Sequence, residues 1–321
     1  AGMAKIGFTL SSEEQPPGLL VEHAAAAEQA GFDFLSISDH FHPWVDRQGQ
    51  SPFVWSVLGA VSRATERIEL ITGVTCPTTR IHPAIIAQAA ATTACLMPGR
   101  FSLGLGSGEN LNEHILGDRW PSVDIRQERL EEAVMVIRSL WEGGLTSHRG
   151  VHYEVENARI YTLPDQLPPI LIATAGEQAT ELAGRVGDGL VGLVPDSSVI
   201  EQFRESGGEG KPAYAQVHIS WRESKEEAVK TALEWWPNAG VPGNLFVELP
   251  LPSHFSEAAS TVDEDLIAES VVCGPDPEPI VEEISRYLEA GFSHVYVHQV
   301  GPDTPGFFDF FRDRVLPEFQ A

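Results

Sequence analysis

A carboxylate, two imidazoles and an indole stand at Asp39, His40, His42 and Trp44, just past the apolar run Phe32-Asp33-Phe34-Leu35-Ser36-Ile37-Ser38. Imidazoles titrate near neutral pH, so proton transfer is the chemistry this cluster suits. Taken alone, His40 reads equally well as a buried, partnered histidine and Asp39 as the cap of a following helix. Two other stretches carry chemical signals. The glycines of Gly106-Ser107-Gly108-Glu109 allow close backbone approach to a flat or phosphorylated ligand. Glu109 there is suited to exchange a proton if an apolar mouth desolvates it, or else is a helix-start carboxylate near exposed amides. Ala173-Thr174-Ala175-Gly176-Glu177-Gln178 puts small residues before a helix, whose free amides can hold a phosphate without a lysine. Tight helix packing explains Ala175 and Gly176 about as well. Phe41, Trp44 and Trp221 can wall a ring system, although aromatics near strand ends are more often core filler.

Several motifs are missing. Gly106 to Asn112 lacks the spacing of a dinucleotide fingerprint, and Gly106-Ser107-Gly108 lacks the frame of a hydrolase elbow. There are no His-Glu pairs at helical spacing and no cysteine cluster, so no metal site is expected.

The elements that position these residues alternate. Ala4 to Leu10 reads as a strand, Leu19 to Ala30 as a helix stopped by Gly31, and Phe32 to Ser38 as a buried strand that delivers Asp39 and His40 at its carboxyl end. A helix over 53–64, a strand over 68–74, a helix from Pro83 to Met97 and a strand over 101–105 follow. Asp124 to Trp141 is a long helix, and 146–161 reads as an inserted hairpin. Strands near 169–173, 189–193 and 215–221 alternate with helices over 177–186 and 226–235. The proline- and glycine-rich stretch 237–265 reads as a long loop, a lid or binding element. Val271 to Gly274 precedes a helix over 277–290, and His294 to His298 is the last strand. Gln29-Ala30-Gly31-Phe32 is echoed by Glu289-Ala290-Gly291-Phe292, the same helix-stop-strand joint near both ends. About eight such units predict an α/β fold of the (β/α)8 TIM-barrel type, one domain over 1–321 with insertions near 146–161 and 237–265. A flavodoxin-like or Rossmann sheet with an added domain is the competing arrangement.

Of 321 residues, 42% are hydrophobic, and Lys+Arg 21 against Asp+Glu 46 gives a formal charge of −25. Such a field repels nucleic acid and anionic membrane, which argues against both as partners. Cys76, Cys95 and Cys273 have no paired spacing, which points to a reducing compartment, the cytoplasm, and away from disulfides. No apolar run approaches the ~20 residues of a membrane span, and no signal peptide is apparent. Ala1-Gly2 before Met3 read as a remnant of expression.

The chain resembles the luciferase-like flavin and deazaflavin barrels, most closely the glucose-6-phosphate dehydrogenase-like branch that uses coenzyme F420. Four pieces carry the resemblance: Ser38-Asp39-His40-Phe41-His42-Pro43-Trp44, Thr72-Gly73-Val74-Thr75-Cys76-Pro77-Thr78, Gly106-Ser107-Gly108-Glu109-Asn110-Leu111-Asn112-Glu113 and Ala183-Gly184-Arg185-Val186-Gly187-Asp188-Gly189. It implies a deazaflavin ring near Asp39, Val74 and Asn112, a cis peptide at Gly73-Val74, Cys76 and Ser107 beside the cofactor, and the phosphate at Gly108, Ala175, Gly176, Gln178 and Ala179. It also implies hydride transfer between a substrate hydroxyl carbon and the ring's C5. His40 is then the base, Trp44 positions the substrate oxygen and Glu109 manages the proton at the reduced ring, with the two acid-base roles exchangeable. A small-molecule substrate and a homodimer are implied as well.

The substrate half departs from the branch. Sugar-phosphate dehydrogenases of this kind place a threonine and a lysine after strand six. Here the loop reads Leu193-Val194-Pro195-Asp196-Ser197-Ser198, and no lysine follows Lys230. An aspartate repels a phosphate, so a non-phosphorylated alcohol or sugar-like compound is expected. The alternatives are a sugar-phosphate dehydrogenase with another clamp, from Arg286 or the long insertion, a monooxygenase using flavin mononucleotide (FMN), and a cofactor-binding protein without catalysis.

Overall fold

A computed structural model describes residues 3–320, so the reading of Ala1-Gly2 lies outside the described residues. Eight parallel strands close into a barrel: β1 (Lys5–Leu10), β2 (Phe34–Ile37), β3 (Glu69–Thr72), β4 (Phe101–Leu105), β5 (Ile170–Ala173), β6 (Gly189–Gly192), β7 (Ala213–Ser220) and β8 (His294–Gln299). Each pairs with the next, and β8 closes on β1 with Lys5 opposite His294 and Phe8 opposite Val297. The competing open sheet is therefore ruled out. A short strand, Val272–Cys273, adds beside the far end of β7.

Period-two alternation sorts the strand residues. Phe34, Ile71, Leu171, Val191, Tyr214 and Tyr296 fill the barrel interior, while Ile6, Leu35, Leu70 and Leu103 face the helices. Gly7 is required by this packing, since a Cβ there would sit 2.6 Å from the Phe34 ring. The repeated joint has a backbone cause: Gly31 and Gly291 stop helices Pro17–Ala30 and Pro277–Ala290 in the left-handed region, at φ 97° and 110°. Each then returns a buried Phe32 or Phe292 to the core.

Two excursions leave the repeat. Thr146–Arg149 and Glu154–Ala158 form an antiparallel hairpin, anchored by Glu132, which accepts hydrogen bonds from His148 at 2.9 Å and from the amide of His152 at 2.9 Å. The stretch read as a long loop is instead helical, with a 3-10 turn at Pro237–Gly240 and short helices Gly243–Glu248, Pro252–Ala258 and Glu264–Ser270. Pro237 and Pro252 open their elements, where a missing amide hydrogen costs nothing. The segment rests on the rim through Val241, Phe255 and Ala259, against Val45 and Leu111. No described helix is long and apolar enough to cross a membrane.

Candidate active site

The carboxyl ends of β2 to β5 bring Asp39, Thr75, Gly106–Asn112 and Ala175–Gln178 to one rim, as the alternation predicts. Past β2 the chain is pinned rather than free. Buried Asp39 accepts a hydrogen bond from the Thr75 hydroxyl at 2.8 Å, and the Arg80 guanidinium lies 3.3 Å from its other oxygen. The Asn112 side-chain oxygen Oδ1 accepts the amides of Phe41 and His42 at 2.9 and 3.1 Å, so Asn112 shapes the loop itself. His42 donates to the Leu111 carbonyl at 2.8 Å, which commits this imidazole to the loop.

His40 is oriented from both sides. Its Nδ1 lies 3.0 Å from the His42 carbonyl oxygen, which cannot donate, so Nδ1 carries the hydrogen and Nε2 is the basic nitrogen. Nε2 lies 3.5 Å from Oε1 of Glu13, a buried carboxylate whose other oxygen accepts the Ser38 hydroxyl at 2.8 Å. The Trp44 indole meets the His40 ring edge-on, with centroids 4.8 Å apart, and is itself backed by Phe246 and Phe255 of the rim segment. A base with a carboxylate behind it and an indole across it can take a hydroxyl proton and hold the resulting imidazolium. Glu13 was missed in the sequence because it sits in what read as a plain connector.

The neighbouring wall is built by close backbone approach. The Gly73–Val74 peptide is cis. A Cβ on Gly73 would lie 2.3 Å from the Ser36 hydroxyl oxygen, one on Gly106 2.7 Å from Val74, and one on Gly108, at φ +97°, 2.9 Å from Glu113. Half-buried Ser107 lies in this wall, and its carbonyl accepts the Thr78 hydroxyl at 3.5 Å. Burial pushes the Cys76 thiol well up, and the carboxylates of Glu109, Glu113 and Asp39 add to it, so Cys76 stays a neutral thiol.

Half-buried Glu109 heads the short helix Asn110–Glu113, and its carbonyl accepts the amides of Asn112 and Glu113 at 3.1 Å. Four residues further on, Glu113 is buried. Burial raises it to about 7, with Glu109 and Asp39 adding and Arg80 opposing. One Glu113 oxygen accepts the Arg80 amide at 2.5 Å; the other has no partner.

At the end of β5, Ala175 and Gly176 are exposed ahead of the ten-residue helix Glu177–Val186, whose first two residues Glu177 and Gln178 are exposed as well, and Ala179 is buried beneath them. No side chain caps this helix, and nothing lies within 4 Å of a Cβ built on Gly176. Free amides in open space fit a phosphate. Together with the flat glycine wall, these features suit an elongated cofactor with a planar ring and a phosphate. Trp221 does not join it: the indole stacks on Phe310 at 4.6 Å and donates to the Pro275 carbonyl at 3.2 Å. Its apolar face is spent on packing against the C-terminal helix. Phe41 stays half exposed, edge-on to His42 at 5.1 Å.

Comparison with known proteins places this geometry. An F420-dependent glucose-6-phosphate dehydrogenase of Nocardia farcinica is 35% identical, over 100% of this chain and 99% of its own length. One from Beutenbergia cavernae is 33% identical over 99% and 98%. The solved structure of an F420-dependent secondary alcohol dehydrogenase, in complex with an F420-acetone adduct, superposes with a TM-score of 0.92 at 31% identity, covering 100% of both chains. The coenzyme F420-dependent tetrahydromethanopterin reductase of Methanopyrus kandleri, at 22% identity, shares the fold with a TM-score of 0.80 over 99% of this chain and 100% of its own. The family model described as luciferase-like monooxygenase matches residues 3–294. The chain belongs to the luciferase-like monooxygenase family.

Proposed function

We propose that the chain is an F420-dependent oxidoreductase that interconverts a non-phosphorylated alcohol and its carbonyl compound. The observation that carries the reading is the His40 site: a basic Nε2 3.5 Å from buried Glu13, across from Trp44, beside the glycine wall of Gly73–Val74 and Gly106–Gly108. When bound, F420 supplies C5 of its deazaflavin as hydride acceptor or donor. The amides from Gly176 to Ala179 would hold its phosphate, and Asp39, Val74 and Asn112 would border its ring. His40 takes or returns the hydroxyl proton, Glu13 stabilises the imidazolium, and Trp44 bounds the substrate side. Glu109 is the second acid-base group, on the cofactor side.

The substrate class rests on charge. After β6 the rim presents exposed Leu193 and Val194, then Asp196, whose carboxylate is held below its ordinary range by the Ser198 hydroxyl and amide. The segment 237–265 contains no lysine or arginine. Arg286 is paired with Glu283 at 2.7 Å, Arg80 lies against Asp39, and Arg222 donates to the Val300 carbonyl at 2.8 Å. With these three cations committed, a phosphate near them would lose its hydration for little return, whereas a neutral alcohol would not. The sugar-phosphate reading is favoured by the names of the relatives at 33–35% identity.

A panel of neutral secondary alcohols and glucose 6-phosphate, offered with F420, separates the two. Turnover confined to the neutral compounds is expected. Turnover of the sugar phosphate at micromolar KM would replace the alcohol reading.

A further inference from the structure

Behind His40 the buried polar groups form a line through the barrel mouth. Glu13 Oε2 lies 3.4 Å from the Ser11 hydroxyl, which donates to Glu14 Oε1 at 2.8 Å. That oxygen is in short contact with Nε2 of His298, and Nδ1 of His298 lies 2.8 Å from Nδ1 of His218, its register partner across β7 and β8. Glu13, Ser11, Glu14 and His298 are each 6% exposed or less, while His218 is half-buried with no bond at its Nε2. Trp236 covers both imidazoles, 4.4 Å from His298 and 5.6 Å from His218. The Gly301 amide holds the second Glu14 oxygen at 2.6 Å.

Four buried polar side chains are costly unless paired, and here they are paired end to end. Ordinary anchoring of the loop after β1 needs only the Gly301 amide and the Ser38 contacts. It does not require two imidazoles joined nitrogen to nitrogen. We propose that His40–Glu13–Ser11–Glu14–His298–His218 is a proton relay, which carries the hydroxyl proton between His40 and the half-buried His218. This rests on the alcohol-oxidoreductase reading for its substrate, but the line itself is a property of the protein alone.

The hops balance. The starting arrangement has hydrogen on His298 Nε2 and His218 Nδ1. Burial and the neighbouring His298 depress His218 to about 3, so its free Nε2 is unprotonated. In the reducing direction, a proton arriving at that nitrogen displaces the Nδ1 hydrogen onto His298. The Nε2 hydrogen of His298 then moves to Glu14. The Ser11 hydroxyl, turned from Glu14 to Glu13, takes it as its own hydrogen passes to Glu13 Oε2; the Glu13 carboxyl then turns to bring that hydrogen to His40 Nε2, whose ring passes it to the substrate oxygen. Each hop breaks one N–H or O–H bond and forms one, and no electrons move along the line. In the oxidising direction the order reverses, while the electron pair leaves with the carbon's hydrogen to the deazaflavin.

The groups facing the line are its own carboxylates, the Trp44 and Trp236 indoles, the Ser38 hydroxyl and Arg222. The last is tied to Thr304 and the Val300 carbonyl but near enough to Glu14 to sense its charge.

Side-chain nitrogen NMR of histidine-labelled protein, without cofactor, tests the line directly. The hydrogens are expected on Nδ1 of His218 and Nε2 of His298, with a nitrogen-nitrogen coupling across the hydrogen bond between the two Nδ1 atoms, and in Ser11→Ala the His298 Nε2 signal should shift. Absence of that tautomer pair, or of the coupling between the two rings, overturns the relay. Ser11→Thr keeps the hydroxyl and should restore the wild-type signals. In turnover, Ser11→Ala should lower kcat at least ~10-fold and change the solvent deuterium isotope effect, with F420 affinity intact and Ser11→Thr rescuing. Wild-type kcat and isotope effect in Ser11→Ala would also overturn it. A wild-type protein that turns over no alcohol sinks the alcohol reading instead, and the NMR signals still decide the line.

Discussion

Glu113→Gln isolates one buried ionisation. Glu113 is 1% exposed, one of its oxygens has no partner, and its carboxyl stands at about 7 instead of 4.5. By linkage that difference corresponds to about 3 kcal/mol. The sign follows from which state binds the proton more tightly. The folded protein keeps it up to about 7, whereas the unfolded chain releases it near 4.5, so folded stability declines as pH rises between these values. Below that window both states are protonated and nothing is lost; above it the full cost applies. Glutamine keeps an acceptor for the Arg80 amide and cannot ionise. The variant should therefore match wild type at about pH 4.5 and gain up to ~3 kcal/mol at about pH 8.5, a rise of roughly 5 °C in Tm for a chain of this size. Thermal melts of cofactor-free protein at both pH values check this. An equal Tm difference at the two values would refute the argument from desolvation.

Three further perturbations address the site. Gly176→Asp puts a carboxylate into open space at the start of the Glu177–Val186 helix, where it can cap the amides without disturbing the fold. F420 affinity should fall ~10-fold or more with Tm unchanged or higher, and unchanged affinity would remove this turn from the phosphate site. His40→Ala should bind F420 normally by fluorescence while kcat drops ~100-fold or more, since only the base is lost; wild-type turnover would take His40 out of the mechanism. Asp196→Lys should create measurable oxidation of glucose 6-phosphate that wild type lacks, read as F420 bleaching. No gain would show that this loop does not face the substrate.

Much of this was legible in the sequence because it is local. Apolar runs ending in Gly, Pro or polar clusters give the strands, and the repeated Gly31 and Gly291 joints give the unit. Asp39 and His40 follow a strand end, so their placement at the rim follows from topology alone. What escaped depends on pairs distant in the chain. Glu13 and Glu14 look like solvent-facing residues of a loop, and only closure of β8 on β1 buries Glu14 against His298. Glu109 and Glu113 cannot be ranked until Gly108 turns back over Glu113 and Arg80 arrives from the β3 side. Trp221 was ambiguous until Phe310, nearly ninety residues later, covered it. The prolines of 237–265 read as breakers, but at a first helical turn proline is a start signal, and only the apolar contacts of Phe255 and Val241 with the rim reveal it.

The central claim is that this site binds a deazaflavin and moves hydride to it from a neutral hydroxyl compound. A fluorescence titration of the purified protein with F420 and with FMN, followed by addition of a secondary alcohol to the F420 complex, tests it most directly. Saturable F420 binding and alcohol-dependent bleaching of its absorbance are expected. Binding of FMN alone, or bleaching by glucose 6-phosphate and by no alcohol, would contradict it.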